Sequence, residues 1–171
     1  AYLAENPPFD LANVVAGFNF DRVLPTGKTK DMAVIGYGAS ELEDYLEAEL
    51  DKQGRYINPD PNPEKGYFYR SDHISFAKKG VPVLYSDDGF DLEIGGIEKG
   101  FNEIYDYTNN RYHGVDDEYD ASWNLEGFEQ TINTLFNISF ELSNSNDWPN
   151  WYEGNEFRSL RDAQLLTKKT P

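Results

Sequence analysis

Gly66-Tyr67-Phe68-Tyr69-Arg70-Ser71-Asp72-His73-Ile74-Ser75-Phe76-Ala77-Lys78-Lys79-Gly80-Val81-Pro82-Val83-Leu84 carries the fold signal of this chain. An aromatic run leads into a polar corner, Arg70-Ser71-Asp72-His73. Ser71 or Asp72 is suited to cap a short helix, because a side-chain oxygen there accepts from the first free amides. Gly80 is suited to end that helix in a left-handed conformation. Val81-Pro82-Val83-Leu84-Tyr85 then reads as a buried strand, with proline near its start, where a missing N–H costs least. Polar residues at such a corner, beside a core strand, are how an α/β protein mounts a site.

Outward from that stretch the pattern continues as strands, turns and helices. Asn13 to Phe20 is an apolar, β-rich run ending at Asp21. The two-residue strand period puts Asn19 and Asp21 on one face. Met32 to Tyr37 reads as a second apolar strand. Ser40 to Gln53 is the clearest helix: Ser40 and Glu43 form a capping-box pattern, and Leu42, Tyr45, Leu46 and Leu50 share one face. Asn58 to Gly66, with three prolines, reads as a stiff loop. Ser86-Asp87-Asp88-Gly89 reads as a turn, and Ile97 to Tyr107 as a short helix or irregular chain. A polar loop from Asn109 to Asp120 holds the second histidine. Ser122 opens a long helix with Leu125, Phe128, Ile132, Leu135 and Leu142 on one stripe. Residues 149–171 read as a tail, with a last short helix over 159–168 as the alternative.

The chain has 171 residues, enough for a single domain with its own core. Its 39% hydrophobic and 15% aromatic content argues against disorder. A net charge of −16 argues against nucleic acid, whose phosphates it would repel, and against anionic membranes. With no cysteine there are no disulfides or thiolate ligands. No apolar run approaches the roughly 18 residues a membrane span needs.

The two histidines, His73 and His113, frame the chemistry. His113 sits in a loop before a helix, near Asp116, Asp117 and Glu118, where a carboxylate would orient its imidazole. Asp21, at a strand end, occupies a typical site position for an open α/β sheet. Other chemistries lack their motifs. There is no G-x-S-x-G elbow, P-loop or GxGxxG. Ser71, Asp72 and His73 are adjacent, and adjacent residues rarely face one another as a triad. Paired carboxylates suggest a glycosidase, but sequence spacing does not set a carboxyl separation.

At these residues the chain resembles the C-terminal half of the bacterial zinc aminopeptidases, the co-catalytic di-zinc exopeptidase family with leucyl-type members. The resemblance rests on Glu5-Asn6-Pro7-Pro8, Asn19-Phe20-Asp21, Val34 to Gly38 with Ser40-Glu41-Leu42, and Pro59 to Glu64. It continues through Tyr69 to His73, Phe76-Ala77, Gly80-Val81-Pro82 and Tyr112-His113 with Asp117-Glu118. It implies a mixed sheet flanked by helices, with metals at the carboxyl ends of central strands. Asp21 matches the aspartate ligand to one zinc and His113 the histidine ligand to the other. Arg70, Ser71 and Asp72 would line or buttress the substrate cleft. The family's metal-bound water attacks the peptide, and a glutamate serves as the general base.

The family also has a His-x-Asp and a Glu-Glu pair ahead of the Asn-x-Asp strand. This chain has neither. It therefore lacks one histidine ligand, the bridging aspartate, the glutamate ligand and the catalytic base. Val115 replaces a proline usual in the histidine loop. The expectation is a C-terminal portion of a secreted or periplasmic peptidase, inactive alone and prone to self-association by pairing bare strand edges or exchanging segments between chains. A non-catalytic binding module that keeps half the fold is the alternative.

Overall fold

The computed structural model describes residues 1–22 and 24–167. Four strands form one mixed sheet: β1 (Gly17–Asn19), β2 (Asp31–Val34), β3 (Tyr56–Pro59) and β4 (Val83–Asp88). Their order is β1-β4-β2-β3. β1 pairs parallel with β4, β4 antiparallel with β2, and β2 parallel with β3. The helices are α1 (Tyr2–Glu5), α2 (Leu42–Lys52), α3 (Ile74–Ala77), α4 (Gly96–Asn110), α5 (Glu126–Ser143) and α6 (Arg158–Thr167). The α/β class with helices flanking a mixed sheet is as the sequence indicates.

Side-chain alternation along β4 divides the core into two layers. Leu84 faces α2 and α5, in a cluster with Met32, Val34, Leu42, Leu46 and Leu50. Full burial of each such leucine contributes about 2 kcal/mol. On the other face, Tyr85 packs with Phe68, Ala77, Trp151 and Phe157, and Val83 with Leu11 and Val81. The segment after α5 is fastened to this second layer. The Trp151 indole donates to the Gly80 carbonyl at 3.1 Å, and Arg161 donates to the Val15 carbonyl at 3.1 Å. Lys168, expected as the end of the last helix, lies outside the described residues.

Several elements differ from the sequence reading. β1 is three residues long, because Leu11–Asn13 forms a 3-10 turn capped by Asp10 instead of leading a strand. Tyr56–Pro59, counted partly in a proline loop, is an edge strand; Pro59 is tolerated because it closes the edge. Ser86-Asp87-Asp88 is not a turn but the end of β4; the Asp88 carboxylate is satisfied from distant segments, whereas the buried Ser86 hydroxyl has no hydrogen-bond partner among the described residues. Asp88 accepts from the Leu24 amide at 2.7 Å and from Thr131 Oγ1 at 2.9 Å. α4 is regular over its whole length. The buried stripe of α5 is Thr131, Thr134, Leu135, Ile138 and Leu142, whereas Leu125 and Ile132 are exposed.

Capping also departs from expectation. At α2 only half of the capping box forms: the Glu43 carboxylate accepts from the amides of Gly38, Ala39 and Ser40 at 2.8, 2.7 and 3.3 Å. The Ser40 hydroxyl has no partner. The position before α3 is His73, and neither Ser71 nor Asp72 caps that helix. Ser71 is instead committed to Asp21. Gly36 adopts φ +77, and a Cβ there would sit 2.3 Å from the Phe68 ring, so glycine alone allows this turn to close on the aromatic run.

Candidate functional site

The parallel register of β1 and β4 sets Asn19 beside Tyr85. The chain that follows Asn19 carries Asp21 just beyond the end of β1. Ser71, just after the 3-10 turn Tyr67–Tyr69, completes the group. Asn19 Nδ2 donates to Ser71 Oγ at 3.1 Å, and Ser71 Oγ donates to Asp21 Oδ2 at 2.8 Å. The Tyr85 hydroxyl also reaches Asp21 Oδ2, at 3.5 Å. Residues from three separate stretches of sequence thus orient one carboxylate at the carboxyl end of the parallel pair. Asp21 itself is exposed, so a ligand can reach it.

Behind this group lies a buried layer. His73 is 3% exposed, with its ring 4.7 Å from Phe68 and 4.8 Å from Tyr85. The Phe68 backbone approaches the imidazole without reaching hydrogen-bond geometry, and neither ring nitrogen has a partner. Burial pushes the His73 pKa down to about 4, against the opposing pull of the Asp21 charge. The ring is therefore neutral at physiological pH. Burial, reinforced by the charges of Asp87 and Asp21, raises the Tyr85 phenol, which stays protonated and able to donate.

Asp87 follows Tyr85 by one strand period and so faces the same side. Burial raises its carboxyl to about 6, partly offset by Arg22, whose guanidinium lies 3.3 Å away. Because Arg22 is next to Asp21, this pair ties the turn bearing Asp21 to the end of β4. Tyr85 and Asp87 are the site residues that sequence reasoning missed. The available signal was register: on a parallel neighbour, the alternation that groups Asn19 with Asp21 groups Tyr85 with Asp87.

The remaining named residues are dispersed. Arg70 is exposed, and its guanidinium stacks over Tyr67 at 5.8 Å. Asp72 is exposed, and no bond joins it or Arg70 to Asp21 among the described residues. His113 lies in the loop between α4 and α5 with φ +58, its ring stacked 3.9 Å from Tyr112. The carboxylate expected to orient its imidazole does something else. Asp117 accepts from the His113 backbone amide at 3.2 Å and from the Tyr107 hydroxyl at 3.0 Å, which anchors the loop.

Two clefts open on the surface. One, of about 270 Å³, lies among Gly38, Asp60, Tyr67, Tyr69 and Asn155. The other, of about 700 Å³, lies between the Leu24–Thr26 turn and α4, bounded by Trp123. Neither Asp21 nor His113 lines either cleft. Among the described residues no three histidine or carboxylate side chains converge in a group able to hold a metal ion.

No curated protein and no solved structure matches the chain. A protein-family model does match it, over residues 1–138. The matched span runs from α1 well into α5 and contains Asn19, Asp21, Ser71, His73 and His113. The family it describes consists of zinc-dependent peptidases. On that match, the chain belongs to peptidase family M28.

Proposed function

We propose that this chain forms the Asp21 and His113 side of an aminopeptidase site, with the other metal ligands and the general base supplied by residues outside it. In this reading Asp21 and His113 each serve a different zinc ion. Ser71 and Tyr85 orient the Asp21 carboxylate, Arg70 and Asp72 border the path of the peptide, and the parent protein acts outside the cytoplasm. The observation that carries the reading is the convergence of Ser71 and Tyr85 on Asp21 at a strand end, with Asn19 holding Ser71.

The residues present do not fit a zinc centre by themselves. A catalytic zinc takes three protein ligands, and here no three donors come together among the described residues. No His-x-Asp or Glu-Glu occurs anywhere in the sequence. We therefore derive no hydrolytic step from this chain. The expected result with millimolar zinc and a leucyl-anilide substrate is background hydrolysis only; turnover above background would refute it. The same absence of a three-donor group supports a second reading, a non-catalytic module retaining half the peptidase fold. Adding a polypeptide that contains the His-x-Asp and Glu-Glu motifs separates the two. Restored hydrolysis favours the first, and none favours the second.

A further inference from the structure

Both strands of the parallel pair β2–β3 run out at the cleft of about 270 Å³. Past β2 the chain turns through Gly36-Tyr37-Gly38, and past β3 it continues into Asp60. The Asp60 amide donates to the Val34 carbonyl at 3.0 Å, which carries the strand pairing to the edge of the cleft. Open α/β sheets bind ligands outside the carboxyl ends of their strands. Tyr37, Tyr67 and Tyr69 line this cleft, and Gly38 and Gly66 add bare backbone at positive φ. Asp60 is the only carboxylate among the described lining residues, and no lysine, arginine or histidine is among them. Its Oδ1 accepts from the Asn62 amide at 2.8 Å, and its other oxygen accepts no bond among the described residues.

We infer that this cleft binds an organic ammonium group, of the kind carried by a lysine side chain or by a small quaternary amine. The face of an aromatic ring attracts a cation through its quadrupole, and a carboxylate beside it adds a direct ionic partner. The chain shows the same preference itself. Lys65 Nζ and the Arg70 guanidinium lie 5.9 and 5.8 Å from the centre of the Tyr67 ring. With Tyr67 so engaged, the rings left for a ligand are those of Tyr37 and Tyr69, which are 56 and 57% exposed. The Tyr69 hydroxyl donates to Glu156 at 2.7 Å, which restrains the ring and brings a second carboxylate near the cleft. An anion would meet Asp60 and a protein of net charge −16. A neutral ligand of the same shape would cover the Asp60 oxygen without replacing the water bonds it loses.

The dimensions limit the ligand. Pockets for drug-sized molecules run from about 300 to 1,000 Å³, so this cleft has room for one small head group. Two exposed ring faces and one solvated ion pair make a weak site, with a dissociation constant on the order of 1 mM. Asp21 does not line the cleft. Phe68, which does, packs on His73 at 4.7 Å; His73 packs on Tyr85 at 4.8 Å, and the Tyr85 hydroxyl reaches Asp21. The inference is independent of any metal at Asp21, and its test needs neither zinc nor hydrolysis.

Titration of nitrogen-15-labelled protein, followed by amide-resolved NMR, tests this. The probes are choline, Nα-acetyl-lysine methylamide, and 3,3-dimethylbutan-1-ol, the neutral carbon isostere of choline. Ionic strength is matched in every sample, so that general screening does not mimic binding. The expected result is a saturable shift of the Gly36, Gly38 and Gly66 amides with at least one of the two cations, and binding of the alcohol weaker by about 10-fold or more. The tighter cation tells a quaternary amine from a lysine side chain. Asp60→Asn keeps an oxygen for the Asn62 amide, so the turn is preserved, and it should weaken the cation by about 10-fold. Tyr37→Ala should weaken it by about 3-fold or more, with an unchanged circular dichroism spectrum. No shift with either cation at twenty times the expected dissociation constant would overturn the inference. So would equal binding of the alcohol, an affinity that Asp60→Asn leaves intact, or shifts spread over the acidic face of α2 instead of the three glycines.

Discussion

His73 should make this fold sensitive to mild acid, and the size of the effect follows from its surroundings. The imidazole is held between Phe68 and Tyr85 with neither nitrogen bonded, and burial lowers its pKa from 6.5 to about 4. In the unfolded chain it takes up a proton below pH 6.5; in the folded chain it does so only near pH 4. Between those values the unfolded state binds more protons, so stability falls as pH falls. At about 1.4 kcal/mol per pH unit, the loss between pH 6.5 and 4 is about 3 kcal/mol. Above pH 6.5 the contribution is fully present, and below pH 4 no more is lost. Urea unfolding at half-unit intervals from pH 4 to 8, on the native chain and on His73→Gln, isolates this residue. Other titrating groups, including Asp87 with its opposite slope, act in both proteins and cancel in the difference. The native-minus-variant difference should decrease by about 3 kcal/mol as pH falls from 7 to 4. A difference that is flat across this range would refute the buried neutral imidazole.

Two further substitutions probe the scaffold. Gly36 and Gly54 both have positive φ, but a Cβ at Gly36 collides with the Phe68 ring whereas none is met within 4 Å at Gly54. Gly54→Ala should cost about 1 kcal/mol of backbone strain, and Gly36→Ala about 2–4 kcal/mol with packing strain added; equal losses in thermal melts would contradict the close approach of turn and ring. Leu46→Ala removes a fully buried side chain from the α2–α5 layer, and urea denaturation should show a loss of about 2–5 kcal/mol.

What sequence revealed and what it hid have physical reasons. Helix α2 was legible because its apolar residues keep a helical period and Gly54 follows it. Long-range polar contacts were not. Ser86-Asp87-Asp88-Gly89 has the composition of a turn, yet Asp88 is satisfied by Thr131 and Leu24, 43 and 64 residues away. The same contact shifted the phase of α5. Thr131 and Thr134 turn inward because Asp88 and the Arg55 guanidinium require their hydroxyls, and phenylalanines are left outside. Hydrophobicity alone assigns the opposite arrangement. At the site, Asn19 and Asp21 were visible through strand period, and Ser71 through its polar corner. That Ser71 would bond Asp21 instead of capping α3 depends on a contact across 50 residues.

β4, more than the polar corner ahead of it, unites these observations. One side of the strand, Leu84 and Asp88, secures α5. The other, Tyr85 and Asp87, holds the turn that presents Asp21, by a hydroxyl contact and by the pair with Arg22. His73 packs behind Tyr85, its ring 4.8 Å from the phenol ring. A strand buried along its whole length can hold a carboxylate in place at its end because its register leaves little freedom to slip. The opposite face of the same sheet supports α5 through Leu135, Ile138 and Leu142. Substitutions on the outer face of α5 should therefore leave Asp21 undisturbed, while Tyr85→Phe, which removes a hydroxyl donor to Asp21, should alter the carboxylate.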